Sequence, residues 1–551
     1  MASGNPKYYA AAIFAPAVML AFPILVSGNC YEAFFSLRVG SSDSLVGGMD
    51  NRGNPVNIRN ATAMAYGLCL ETCGGGTWDI GGGWSRFQTF GGNLGTWLFP
   101  FLALLSQVPL EGDTILENLM SIFLIIGSPT LAAYSIALTA FNSRWVHRRF
   151  SSISYPNAHT AGWILDNFQQ SPLRVTGNDL LLGSLIVLPE NDQWWSELIT
   201  FLNSKHHYTW TFSNITSIIW VVFSFFLAAM ASLAGKFLFL GCDFSDASLN
   251  TQQGLGLAFC WIWLLPILIC SLSNAPRCNK TSLHDALRRA NQHVYVAAYS
   301  GNPVPAHFTV NRPPFSLDIH DGHLRMDHQR GARIYNYDRL MTWSLAVERV
   351  YASFQAASSR EKRQLPVNSS TGWTKNRKGV LAPSNRRGSP AQVAEYIQAG
   401  DHKILPPDLG WRSFNSSMLA VFLTWATIGP AAVLDFALPT KGLGCKSGTR
   451  LIYGLFSTVV WAMLVASTRL RYNSINSRPQ HKTTNGSLSD QYAKVLSGTA
   501  KILACINALW IITSNFLECA GVYDSLLVQF RCALLGLSRL CCHDSNVDGC
   551  A

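Results

Sequence analysis

Charged side chains are scarce in this chain of 551 residues. They make up 13% of it, whereas soluble domains carry about 25%, and the mean hydropathy is positive, at +0.16. Apolar runs recur along the chain, with the length of about 18 residues that a bilayer-spanning helix requires. The composition therefore argues against a soluble enzyme or binding domain and predicts a membrane protein.

Familiar catalytic and nucleotide-binding motifs are absent as well. The stretch from Cys73 to Trp97 holds nine glycines, but no lysine follows them, which excludes a phosphate-binding loop of the Walker type. Its tryptophans and phenylalanines instead predict an interfacial loop that leads into the membrane. No G-x-S-x-G elbow, H-E-x-x-H helix or set of kinase signatures occurs. We therefore predict no cofactor, no catalytic residue and no nucleic-acid partner, and we favour a non-enzymatic protein.

The apolar runs predict an all-α polytopic membrane protein. The segment 94–110 either crosses as an eighth span or dips into the membrane and returns, helped by Pro100 and Pro109. Seven crossings are favoured, because an eighth would move the loop 28–115 to the cytosol, against its cysteines. The seven predicted spans are 8–27, 116–140, 215–235, 254–273, 417–438, 451–468 and 500–517.

Basic residues and cysteines predict which side each loop faces. The segment 274–416 holds 20 Lys and Arg against 10 Asp and Glu, and such loops stay cytosolic, as does 143–214. The cysteines cluster in the loop 28–115 and the tail 518–551, which predicts a lumenal or extracellular side where disulfides persist. Asn60, in an N-x-S/T sequon of that loop, is the predicted glycosylation site. The candidate disulfide cysteines are Cys30, Cys69, Cys73, Cys519, Cys532, Cys541, Cys542 and Cys550.

The predicted cytosolic loops contain two further features. An amphipathic helix after Asp192 either lies on the membrane surface or packs as ordinary core. From about 361 onward the composition turns to Ser, Asn, Pro, Arg and Lys, which predicts a disordered basic segment. Such a segment would attract anionic lipid or a protein partner, and Ser389, in "RRGS", is its candidate phosphorylation site.

Polar residues inside or beside the spans are few. Asp435 is the carboxylate that lies well within a predicted span, and intramembrane acids are usually functional, unless the side chain merely reaches the interface. The loop "DIHDGHLRMDH" offers imidazoles at His320, His323 and His328. Their spacing matches no helical H-x-x-x-H site, so we predict a solvated loop and no metal centre.

Two segments, "QQSPLRV" at 169–175 and "LIVLPENDQWW" at 185–195, are followed by "ITSIIWVVFSF" at 215–225. Together they resemble a group of uncharacterised multipass membrane proteins of filamentous fungi. Some members of that group are encoded near secondary-metabolite pathways, so the resemblance implies an accessory or transport role, and no catalytic residue comes with it.

We therefore expect a non-enzymatic accessory or transport-type protein of the plasma membrane or the secretory endomembranes. One alternative is a membrane-embedded enzyme acting on an apolar substrate. The other is a scaffold that recruits partners through its basic cytosolic loop.

Overall fold

The computed structural model describes part of the chain: residues 48–49, 55–57, 63–65, 83–110, 112, 114–204, 210–237, 256–273, 280–299, 302–306, 313–317, 327, 330, 332–375, 381–398, 406, 408–437, 445–476, 488–519 and 540–543. The helices are α1 Gly83–Leu105, α2 Ile115–Gly127, α3 Pro129–Ser151, α4 Ala158–Asn167, α5 Asp179–Val187, α6 Asp192–Ser204, α7 Phe212–Phe237, α8 Leu264–Ser273, α9 Lys280–Ala290, α10 Asn336–Lys362, α11 Pro390–Ile397, α12 Asp408–Ala437, α13 Cys445–Asn476 and α14 Leu488–Cys519. The strands are β1 Gly48–Met49, β2 Ala63–Ala65, β3 Arg174–Val175, β4 Tyr295–Val296, β5 Val304–Pro305, β6 Phe315–Ser316 and β7 Leu540–His543.

The described chain is mostly helical, and four of its helical segments are long and apolar enough to cross a membrane. A fifth results if α2 and α3 are counted together as one bent span. These helices support a membrane location and correspond to the predicted spans from 254 onward. The four segments are Gly256–Ser273, Asp408–Phe436, Lys446–Asn473 and Ser489–Cys519.

Two other predicted spans, 8–27 and 215–235, are not among these candidate spans. The span 8–27 lies outside the described residues. The span 215–235 lies in α7, whose apolar part Phe212–Leu227 is shorter than the four candidate spans. The described structure thus shows four or five candidate spans rather than the full predicted set.

A sharp bend divides the predicted span 116–140. Two helices occupy this region, and they meet at an angle of 102°. Pro129 is the first residue of α3 and has no N–H to continue the ladder of α2. Ser128 caps α3, since its hydroxyl accepts a hydrogen bond from Leu131 N at 3.2 Å. The chain therefore ends one helix and begins another at this point.

The segment 94–110, predicted to cross or to dip and return, belongs mostly to helix α1, which is not among the described helices that are long and apolar enough to cross a membrane. Helix α1 continues without interruption through Pro100 to Leu105. The second part of the glycine-rich stretch is accordingly helical instead of forming a loop. Trp97 is buried there, with its ring 5.1 Å from that of Phe516. Packing against α14 thus overrides the low helix propensity of the glycines.

We call the set α1, α2, the first part of α3, α7, α8 and α12 to α14 the apolar bundle, because one hydrophobic core joins them. One of its helices, α14, carries large apolar side chains outward and alanines inward. Small residues let helix backbones approach closely where no water drives association, so this pattern suits a lipid-facing bundle. In α14 the outward residues are Val495, Ile502, Ile506 and Leu509, and the buried ones are Ala493, Ala500, Ala504 and Ala508.

A second core unites the two predicted cytosolic loops, and we call the described residues of 143–204 and 280–398 the loop domain. Trp194 and Trp195 of α6 are fully buried in this core. The indole N–H of Trp343, on α10, donates to Leu165 O at 3.0 Å. The amphipathic helix is therefore core, as one of the two interpretations predicted, and the membrane-surface interpretation is wrong.

The predicted disorder from about 361 is wrong for 361–375 and 381–398. Arg386 is 4% exposed; its Nε donates to Val187 O at 2.7 Å, and its terminal nitrogens contact the Asp192 carboxylate at 2.6 and 2.7 Å. These polar contacts, together with Val367, Leu381, Val393 and Ile397 buried in the core of the loop domain, order the segment. Composition alone did not reveal partners that lie almost 200 positions away in the chain.

Helices α3 and α10 each run from the bundle into the loop domain. Near the start of α10, Asp338 forms an ion pair with Arg471 of α13 at 3.2 Å, and Asn336 donates to Thr139 Oγ1 at 2.6 Å. Two continuous helices therefore join the two cores.

The loop before α1 and the tail after α14 also meet. Strand β2 lies between β1 and β7 in one antiparallel sheet, with Ala63 opposite His543 and Ala65 opposite Leu540. Cys541 and Cys542 lie in β7. The loop and the tail therefore share one side of the bundle.

We predict that Gly127→Ala lowers the free energy of unfolding by about 1–3 kcal/mol, because a methyl group there overpacks the core. A Cβ at this position would lie 1.9 Å from Ala504 O. The measurement is the apparent Tm of the purified protein in detergent. Gly498→Ala is the control, because it makes the same change where nothing lies within 4 Å. Equal Tm values for the two variants would contradict the close packing of Gly127.

Candidate functional site: a helix break and a buried ion cluster

The break between α2 and α3 leaves backbone carbonyls without helical partners inside the apolar bundle. Tyr453 of α13 donates its hydroxyl to Ile126 O at 2.6 Å. The amide of Asn507, on α14, donates to Gly127 O at 2.8 Å and to Tyr453 O at 3.1 Å. Non-helical backbone at membrane depth requires such cover by protein. Two helices therefore hold the end of α2.

Hydroxyl groups hold the start of α3 in the same way. Ser128 donates to Ser457 O at 2.7 Å, and Ser457 Oγ accepts from Thr130 N at 3.1 Å. The hydroxyl of Thr130 also lies 3.0 Å from that of Thr424, on α12. All four side chains are buried. The break is thus fixed by α12, α13 and α14 together.

A buried ion cluster lies where α12 and α14 end and α13 begins. The guanidinium of Arg450 donates to the Glu518 carboxylate and to the amide oxygen of Asn515. Its Nε lies 3.4 Å from Asp435 Oδ2. The side chains of the three charged residues are 0–3% exposed. Three helices are therefore tied together by one guanidinium.

The cluster has more carboxylate than guanidinium charge. Lys446, also on α13, is partly exposed and attracts the Asp435 carboxylate electrostatically. The buried thiols of Cys260 and Cys519 lie in the field of the same charges. Burying ions is costly unless each is paired, so the charge of this cluster is sensitive to any change in one member.

Asp435 is the least firmly held member of the cluster. Its oxygens accept no hydrogen bond within the described part of the chain, whereas Arg450 donates directly to Glu518. Gly256 makes room for the Asp435 carboxylate, because a Cβ there would lie 2.9 Å from Oδ1. Asp435 is thus held by an ion pair with Arg450 and not by a hydrogen bond.

The structure places Asp435 as a buried ion-pair partner, so the alternative of a side chain that reaches the interface is wrong. Sequence reasoning missed Arg450, which directly precedes the predicted span 451–468, and Glu518, which directly follows the span 500–517. A basic residue at one span edge and an acid at another are weak signals, because only packing brings them together.

Ser389 forms the N-cap of α11. Its hydroxyl accepts from Gln392 N at 3.4 Å, and its N–H donates to Gln392 Oε1 at 2.9 Å. The residue is half-buried in an ordered segment, and its phosphorylation stays a prediction.

Most other predicted site residues lie outside the described residues: Cys30, Asn60, Cys69, Cys73, His320, His323, His328, Cys532 and Cys550. Cys519 differs from its prediction, since it is a free thiol, buried at the end of α14. The described residues contain no disulfide.

Comparison with protein-family models, with characterised proteins and with solved structures finds no match for this chain.

We predict that Arg450→Met destabilises the protein by about 3–5 kcal/mol, because it leaves two buried carboxylates without their guanidinium. Adding Asp435→Asn and Glu518→Gln to this variant removes both acids and should restore most of the loss. Thermal unfolding in detergent measures each step. An Arg450→Met protein as stable as the wild type, or a triple variant weaker than the single one, would contradict the ion cluster.

Proposed function

We propose that this is a non-enzymatic, transport-type membrane protein that moves or helps to move a small solute. The observation that carries the proposal is the ion cluster of Asp435, Arg450 and Glu518, buried in a bundle of candidate spans. Intramembrane ionisable residues are expensive and mark ion or substrate pathways. The broken helix adds support, because discontinuous helices build the sites of many transporters.

In this proposal, a change in the charge of the Asp435 carboxylate starts the movement of α12. Neutralising its carboxylate removes one of the two acids that face Arg450, which loosens α12 from α13 and α14. Thr424 lies on the same helix and contacts Thr130 at the break. Movement of α12 would therefore reach the start of α3, and α3 continues into the loop domain.

The proposed arrangement has seven crossings, with the amino terminus in the cytosol. Two contacts support it. The loop before α1 pairs with the tail after α14 through β2 and β7, which agrees with both lying on the non-cytosolic side. The two predicted cytosolic loops form one domain, which agrees with both lying on the other side. An accessory role near a secondary-metabolite pathway rests on the fungal resemblance alone.

The scaffold alternative stays a hypothesis, and the basic segment on which it rests is ordered at 361–375 and 381–398. The enzyme alternative also stays a hypothesis, and within the described ranges no cluster of three or more metal-ligating residues occurs.

The seven-crossing arrangement makes a direct prediction. Asn60 should carry a glycan that glycosidase removes, and Cys278 should react with an impermeant thiol reagent only from the cytosolic side of sealed vesicles. The reason is that glycosylation is lumenal while basic loops are retained in the cytosol. A bare Asn60 together with labelling of Cys69 from the cytosol would support eight crossings instead.

We predict that Asp435→Asn changes solute movement about tenfold, the effect of losing one charge-assisted contact. The measurement is uptake of a panel of labelled small molecules by vesicles that contain the purified protein. The amount of folded protein in the membrane is determined in parallel.

Asp408→Asn is the matched control, because Asp408 is an exposed acid at the other end of the same helix. The proposal is wrong if both variants transport like the wild type, or if Asp435→Asn acts only by lowering the amount of folded protein.

A further inference from the structure

A cavity of about 200 Å³ lies at the junction of the bundle and the loop domain, far along α12 and α13 from the ion cluster. Its walls come from α3, α10, α12 and α13. Leu340 and Val465 give it apolar surface, whereas Tyr134, Ser413 and Arg469 give it hydrogen-bond donors. A ligand that fits here needs both an apolar and an anionic part.

The donors of the cavity converge. The hydroxyl of Tyr134 lies 3.0 Å from Ser413 Oγ, and the guanidinium of Arg469 reaches the same oxygen at 3.5 Å. Tyr134 and Ser413 are buried, while Arg469 is exposed. Two hydroxyls and a guanidinium around one space form a donor set suited to a phosphate group.

Carboxylates do not compete for this site. None of the residues described around the cavity is Asp or Glu. The nearby carboxylate of Asp338 accepts from Thr468 at 3.2 Å and is paired with Arg471 at 3.2 Å. The positive charge of Arg469 is therefore not neutralised by a carboxylate among the residues that line the cavity.

The surroundings of the cavity indicate a lipid. Trp411 and Phe414, on either side of Ser413 in sequence, are 66% and 52% exposed and stack on each other. Such aromatic pairs are typical of the membrane interface. Met418 and Phe422 continue an exposed apolar surface along α12. If the phosphate of a lipid binds at Arg469, the acyl chains of that lipid would lie along this surface.

We propose that the cavity binds the headgroup phosphate of an anionic phospholipid, with the acyl chains along the exposed face of α12. Arg469 supplies the charge, and the hydrogen-bonded hydroxyl pair of Tyr134 and Ser413 has one O–H left to donate to the phosphate. Basic pockets between helices at the cytosolic leaflet bind lipid headgroups in this manner. This site is separate from the ion cluster and does not depend on the proposed transport role.

The test uses the full-length protein in nanodiscs of zwitterionic lipid to which an anionic phospholipid is added in steps. Native mass spectrometry counts the lipids retained, and thermal unfolding reports stabilisation. Arg469→Gln should weaken retention of the anionic lipid about tenfold, as expected for a lost hydrogen bond to a charged group. Arg144→Gln, which removes an exposed arginine of α3 that does not line the cavity, should bind like the wild type.

Two further arms make the result decisive. Tyr134→Phe removes a hydroxyl and keeps the ring, so it should weaken retention less than Arg469→Gln without unfolding the protein. Inorganic phosphate alone, added to zwitterionic nanodiscs, should not stabilise the protein. Stabilisation by phosphate to the same degree would overturn the lipid assignment in favour of a free anion. Equal retention by the wild type, Arg469→Gln and Tyr134→Phe would overturn the site itself.

Discussion

The interior of the apolar bundle must satisfy every backbone and charged group without water, and the rest of the structure depends on how it does so. The hardest place is the break at Ser128, where α2 ends and α3 begins at 102°. Tyr453 and Asn507 supply the missing donors. Those donors come from α13 and α14, so the bent pair can keep its shape only when these helices are packed against it.

The same constraint applies to the ion cluster, because its buried charged groups also need partners from the protein. Arg450 satisfies Glu518 and Asn515 by direct hydrogen bonds and leaves Asp435 at 3.4 Å. Buried ion pairs rarely add net stability over apolar packing, so a cluster retained at this depth points towards a function. The uneven pairing also singles out one acid, which is why the proposed working step is assigned to Asp435.

The loop domain is attached to the apolar bundle by two continuous helices. Helices α3 and α10 belong to both cores, and Arg412, near the start of α12, lies over the ring of Trp145 at 3.9 Å. A displacement of the bundle helices would therefore be passed to the loop domain through continuous helices. The segment around Arg386 is ordered by contacts within the loop domain. Its partners, Val187 O and the Asp192 carboxylate, lie in the first of the two loops.

The sequence by itself determined the apolar, helical class of the protein, the positions of the later candidate spans and the presence of Asp435 within one of them, because hydropathy and rare charge in an apolar run are local properties. Tertiary structure alone decided that the region 116–140 breaks, that Arg450 completes the ion cluster, and that the segment after 361 is ordered. Each of these depends on partners distant in the chain: Asn507 for the break, Glu518 for the cluster and Asp192 for the segment. Such contacts produce no periodic or compositional pattern in the sequence, because they form only when separate helices pack together.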